Sequence, residues 1–163
     1  MGPRAANALA EFAGGALLAV CFATGALAEA DCRTDRIDLK GRWGSVSFTV
    51  ETADTPESRS MGLMYRTEMD ADAGMLFIYE APAQVAFWMK NTLIPLDMIF
   101  ADSTGTVTKV HANAIPGDLR AIPGPAQTQF VLEINGGLAA ELGITPGTLM
   151  RHPGLGRFVA WPC

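Results

Sequence analysis

A single, mostly β domain, folded as a compact sandwich or barrel with one or two short helices, is what this sequence predicts. Three observations lead there. Apolar residues come in many short runs, several of them alternating strictly with polar ones. Gly, Pro, Asn and Asp clusters punctuate those runs as turns. And the chain, at 163 residues, is long enough for one real core while showing no internal repeat, low-complexity segment or second domain.

Taken in order, residues 1–28 read as an export signal. Arg4 supplies a positive start, Ala13 to Ala26 is apolar and rich in small residues, and Ala26-Leu27-Ala28 offers an A-x-A cleavage site. Two alternatives stay open. The segment could be retained as an anchor, although it is short of the roughly 20 residues a span needs. Cys21 could be a lipidated residue, although Val20 before it is larger than such sites favour. Cleavage removes Cys21 and leaves Cys32 and Cys163 at the two ends of the mature chain. In an oxidising compartment such a pair reads as one disulfide, the alternative being two free thiols. The expected location is periplasmic or secreted.

Residues 29–45 look like a polar N-terminal extension, 46–150 like the β domain, and 151–163 like a tail tied back to Cys32. Val46, Phe48 and Val50 alternate with Ser45, Ser47 and Thr49, the pattern of a half-buried strand. Thr55 is a good N-cap, Pro56 suits the first helical position, and Met61 and Met64 would share one face of a short helix that Gly62 weakens. Strands follow over 74–79, 84–89 and 96–101. Asp102 to Gly105 makes a hairpin turn, and the chain returns as a strand over 106–112. Residues 113–127, with three prolines and two glycines, form a long ordered loop. A strand over 130–134 precedes one or two helical turns ending at Gly143, and 149–151 and 157–161 offer closing strands.

The charges inside apolar runs draw attention. Lys90 and Asp97 interrupt FWMKNTLIPLDMIF, Glu133 interrupts FVLEING, and Arg66 follows GLMY. By alternation, Trp88 and Lys90 share one face of their run, and Asp97, Ile99 and Ala101 share one face of the next. If the two runs are neighbouring strands, Trp88, Lys90 and Asp97 meet on a common surface. A lone ion in such surroundings costs several kcal/mol, so pairing or water access is expected. Either Lys90, Asp97, Glu133 and Arg66 form salt bridges at the sheet rim, or they line a wet pocket beside Trp88.

GLMYR (62–66), GMLF (74–77), FWMKNTLIPLDMIF (87–100) and VLEING (131–136), with their spacing, resemble the bacterial and archaeal family known as domain of unknown function 192. The resemblance covers about residues 46–150. It implies a compact, sandwich-like β domain, often exported, and no established activity. Arg66, Trp88, Met89, Lys90, Asn91, Thr92, Asp97 and Glu133 match its motif residue by residue. The cysteine pair and the segment from His152 onward lie outside it.

Composition and motifs bound the chemistry. The net charge of -5, with twelve scattered Lys and Arg, offers no basic surface for nucleic acid and no polybasic patch for a membrane once the signal is gone. No nucleophile elbow, zinc-protease motif, phosphate loop or dinucleotide fingerprint is present. Met61, Met64, Met75 and Met89 sit among Leu and Phe, where methionine fills core gaps, and His111 and His152 are not spaced as ligands, so neither metal nor cofactor is expected. Asp97 and Glu133 are the only carboxylate pair worth weighing for hydrolysis, with Lys90 nearby lowering their pKa values and so favouring a nucleophile over an acid. The expectation is instead a non-catalytic binding module for an envelope glycan, peptide or small polar ligand, contacted by Arg66, Trp88, Lys90, Asn91, Thr92, Asp97 and Glu133. A structural or protein-interaction domain of the envelope, with another envelope protein as partner, and a hydrolase using Asp97 and Glu133 are the alternatives.

Overall fold

The computed structural model of the protein describes Gly2 and residues 32–163, so the export segment expected over 1–28, with Cys21, otherwise lies outside the described residues. Among the described residues no helix is long and apolar enough to cross a membrane.

Seven strands make one sheet in the order β6-β5-β8-β3-β2-β1-β9, and two short ones, β4 and β7, pair apart from it. In the chain they run β1 Arg36–Gly41, β2 Gly44–Ala53, β3 Ala73–Ala83, β4 Ala86–Phe87, β5 Leu96–Ala101, β6 Val107–Ala114, β7 Ile122–Pro123, β8 Thr128–Asn135 and β9 Leu149–Arg151. Two short helices, α1 Pro56–Met61 and α2 Leu138–Leu142, interrupt them. Every pairing is antiparallel except β2 with β3, which run parallel because α1 and its loop carry the chain across between them. The sheet curls into a half-barrel, far enough that its two edges touch at one end. Thr106 bridges Leu149, and the Val107 amide donates to the Thr148 carbonyl at 2.8 Å.

Alternation sorts the apolar residues onto two faces, and both are buried. One face carries Ile37, Leu39, Phe48, Leu76, Ile99 and Leu132. The other carries Phe77, Leu96, Met98, Phe100 and Val131, and it is covered by loops that contribute Leu63, Val85, Met89 and Ile94. A central strand covered on both sides must be apolar at every position, which is why β5 is buried over its whole length.

Several expectations need correction. The polar extension read over 29–45 contains β1, whose Ile37 and Leu39 are fully buried between β2 and β9. RIDLKG alternates perfectly, but its three charged residues mask the period. The strand expected over 84–89 shrinks to Ala86–Phe87, because the Met89 amide donates to the Asp118 carbonyl at 2.9 Å and the chain then turns. The closing strand expected over 157–161 does not form. Ala160 makes a single backbone bond there, to Thr104 at 2.8 Å, and Phe158 is exposed. Cys32 and Cys163 lie with Cα atoms 5.7 Å apart and sulfurs at bonding distance, so the expected disulfide can form.

Candidate functional site

Lys90 and Asp97, which would meet only if their two runs were neighbouring strands, do not. Asp97 is fully buried on the face of β5 that packs against α2. Its carboxylate accepts from the backbone amides of Asn113 at 2.7 Å, Gly137 at 2.9 Å and Ala139 at 2.7 Å. It ties the end of β6 to the first turn of α2, replacing the side-chain cap that Gly137 cannot supply. Lys90 stands exposed on the turn after β4, its ammonium 5.0 Å from the centre of the Trp88 ring. Arg66 pairs with Glu51 at the surface, 2.6 Å away. The four-charge network expected of Lys90, Asp97, Glu133 and Arg66 is therefore replaced by separate local arrangements.

Glu133 is the exception that keeps its interest. On β8 it pairs across to Met98 of β5 and Met75 of β3, while Asp97 pairs to Ile134. Adjacent positions on a strand point to opposite faces, so the two carboxylates lie on opposite sides of the sheet. They cannot flank one bond, and the hydrolase reading that needs both is overturned. Glu133 is only 4 % exposed. Burial, with no charge partner to oppose it, pushes its carboxyl up to about 8. Among the described residues it has no ion pair, while every side-chain polar atom sealed away from solvent does have a hydrogen-bond partner. Its oxygens therefore open onto space, and that space is a cleft of about 40 Å³.

The cleft is built by three segments. The first is α1 with the turn that follows it. Thr55 and Ser58 cap α1 reciprocally, and Gly62 closes it with φ at 49°, where a Cβ would come 3.3 Å from the Phe77 ring. The second is residues 87–92, where Phe87 packs edge-on to Phe77 and Phe100 with centroids 5.0 and 5.9 Å apart. The third is β3 against β8. A side chain at Gly74 would place its Cβ 2.5 Å from the Glu133 carbonyl, so only glycine lets the strands approach here. Phe87, Trp88, Thr92, Met61, Met64 and Arg59 complete the lining. At the mouth, Tyr65 and Asn91 both adopt left-handed backbone, φ 65° and 56°, and hold each other. The Tyr65 amide donates to the Asn91 carbonyl and the Asn91 side chain donates to the Tyr65 hydroxyl, each at 2.8 Å. Two such residues face to face at a cleft mouth store strain where function tends to keep it.

Of the residues expected to bind, Trp88, Thr92 and Glu133 thus share one cleft. Lys90 and Asn91 line the shallow surface next to it, and Arg66 and Asp97 lie elsewhere. Arg59 was missed. Its guanidinium donates to the Asp54 and Ile78 carbonyls at 2.8 and 2.7 Å and lies 4.9 Å over the Tyr79 ring. In sequence it was one charge on an exposed helical turn, with nothing to mark it. A second polar cluster was missed for the reason that β1 was. Asp38, nearly buried, accepts from Arg151 at 2.8 Å, Ser47 at 2.6 Å and Arg36 at 2.8 Å. Burial pushes its carboxyl up, and the hydrogen bonds from Ser47, Arg151 and Arg36 outweigh that, holding it below the ordinary range.

Comparison with solved structures finds this architecture elsewhere. A crystal structure of a protein of unknown function from Novosphingobium aromaticivorans matches with a TM-score of 0.69 and 43% identity, over 71% of this chain and 82% of that one. One of a Sinorhizobium meliloti protein, described as a candidate transcription regulator, matches with a TM-score of 0.72 and 39% identity, over 77% and 98%. No curated protein matches. The family model DUF192, an uncharacterized group, matches residues 38–152, taking in β1 as well as the motifs around the cleft, and the chain belongs to that family.

Proposed function

We propose that this chain is an exported, non-catalytic binding module whose site is the cleft between α1 and residues 87–92, with Glu133 at its floor. The ligand is a small polar group presented by an envelope peptide, glycan or small molecule. The observation that carries this reading is the Glu133 carboxyl, almost fully buried, without a partner among the described residues and open only to the cleft. An unsatisfied buried acid costs stability, and a ligand that satisfies it recovers that cost. The cleft volume, about 40 Å³, is room for roughly three waters, so a head group enters and the rest of the ligand lies across Trp88 and Met61 at the rim. Periplasmic or secreted placement rests on the export signal in residues 1–28.

A thermal-shift screen on residues 29–163 against envelope sugars, muropeptides and divalent metals tests this. A ligand at about 100 times its Kd stabilises by roughly 2.7 kcal/mol, several degrees for a domain of this size. Trp88 is 49% exposed, so Trp88→Ala should remove the shift while costing little stability by itself. A variant that loses its fold as fast as its ligand would overturn the reading.

A protein-interaction role is the second reading, and one observation favours it. Met61 at the end of α1 and Tyr65, Trp88, Leu93, Ile115 and Leu119 on the adjoining loops are all exposed, and backbone bonds such as Gly117 to Met89 and Tyr65 to Asn91 tie those loops together. An apolar rim of this kind suits a partner chain.

A further inference from the structure

Glu133 has no counter-ion among the described residues. Within the sheet its cross-strand neighbours are the thioethers of Met98 and Met75, which offer no donor. The cleft is lined by Phe77, Leu63, Met64 and Phe87 and by two hydroxyls, Thr92, directed to the Lys90 carbonyl at 3.4 Å, and Ser60, directed to the Pro56 carbonyl at 2.7 Å. The charged and titratable groups that face it from the packed elements are Arg59 of α1 and Tyr79 of β3, with Lys90 outside on the turn. Arg59 commits its donors to two carbonyls and, at 3.4 Å, to Glu80. None of the three forms an ion pair with Glu133 among the described residues.

We infer that the head group this cleft takes, on the binding reading above, is a protonated primary amine carried on an apolar stem, with the Glu133 carboxylate as its counter-ion. Four features select it. Once ionised, the acid at the floor repels an anion and attracts a cation. A guanidinium presents five donors in a flat fork and would leave most of them unmatched beside a single carboxyl. An ammonium is about the size of a water and fits the volume. Phe87 and Trp88 then line the path of the stem, an apolar wall that suits methylenes and leaves the charged end to Glu133. Binding at neutral pH is a proton exchange. The neutral carboxyl releases its proton to solvent, the ammonium keeps its own, and a carboxylate–ammonium pair remains.

The test is an NMR titration of residues 29–163, read at the Trp88 indole and Thr92, with n-butylammonium and with n-butanol as the neutral probe of equal length. Butylammonium should bind at the cleft, its affinity rising about tenfold per pH unit from 6 to 8 and levelling above that, until the amine itself deprotonates near roughly 10.4. Glu133→Gln keeps the shape and the neutral charge, so it should fold, by circular dichroism, and lose butylammonium binding by tenfold or more at pH 8. A blocked peptide with one central lysine separates the sources of the amine. Tighter binding than butylammonium assigns the site to lysine side chains, and equal binding to free alkylamines. Butanol binding as well as butylammonium, unchanged in Glu133→Gln, would overturn the amine and leave the cleft a binding site. No response to any of the three probes would also overturn it, and a Trp88-dependent hit in the envelope screen would then preserve the binding reading alone.

Discussion

Asp97 and Glu133 are acids on neighbouring strands of one sheet, and their surroundings make them opposites. Asp97 is surrounded by donors. Asp97→Ala would strand three amides, and at about 1–3 kcal/mol for each unsatisfied buried group it should cost at least about 3 kcal/mol in urea denaturation. Glu133 is surrounded by carbon and sulfur, and its linkage has the reverse sign to that of most carboxylates. Its folded pKa of about 8 lies above the ordinary 4.5, so the folded state holds the proton longer. The stability it contributes is complete below pH 4.5 and is lost as pH rises towards 8, an effect on the order of 5 kcal/mol. Glu133→Gln should flatten that decline in a pH series of melts; an unchanged slope would show that the carboxyl is already ionised. His152 acts at the other limb. Its Nδ1 accepts from the Gly154 amide at 2.9 Å, so Nε2 carries the hydrogen and donates to the Thr34 carbonyl at 3.0 Å. Burial pulls its pKa below 6.5, so its contribution is present above pH 6.5 and is lost as pH falls towards the lowered value. That acid limb should survive in Glu133→Gln.

Among the elements, α1 is the smallest that matters, because it walls the cleft. It has six residues and no buried side chain, so its cap carries an unusual share of its stability. Thr55→Ala should cost about 1 kcal/mol in chemical denaturation and weaken any ligand that Trp88 reports, since the wall frays with the cap. The cap and the first-turn proline were legible in ADTPESRSMG, because capping is local chemistry, whereas the helix expected to carry Met64 as well stops at Gly62. Strands β5 and β9 were equally legible, over the same residues observed. What local patterns could not give was partnership. Trp88, Lys90 and Asp97 were set on one face by assuming that two consecutive runs pair, whereas β5 pairs with β6 and β8. Glu133 was legible as an oddity in FVLEING. Its solitude was not, because that depends on which residues β3 and β5 place opposite it.

Across the whole molecule, a Cys32–Cys163 disulfide can fasten the start of the described chain to its tail. Cys32 and Cys163 are 131 residues apart, and a bridge over so long a loop is worth roughly 4–5 kcal/mol in the chain-entropy model. Melting with and without reductant should differ accordingly. Trp161 should report the release in fluorescence, because Lys40 and Arg151 flank its ring at 4.1 and 4.4 Å only while the tail is held. The same long reach governs β1, which lies between β2 and β9. Its outer edge is completed by Leu149–Arg151, and Asp38 finds Arg151 113 positions later. A chain delivered from one end, by a ribosome or through a translocation pore, cannot assemble this half-barrel piecemeal. Its first strand waits with one edge bare until Leu149–Arg151 emerge, so folding that depends on this long-range pairing is slow, late and all at once.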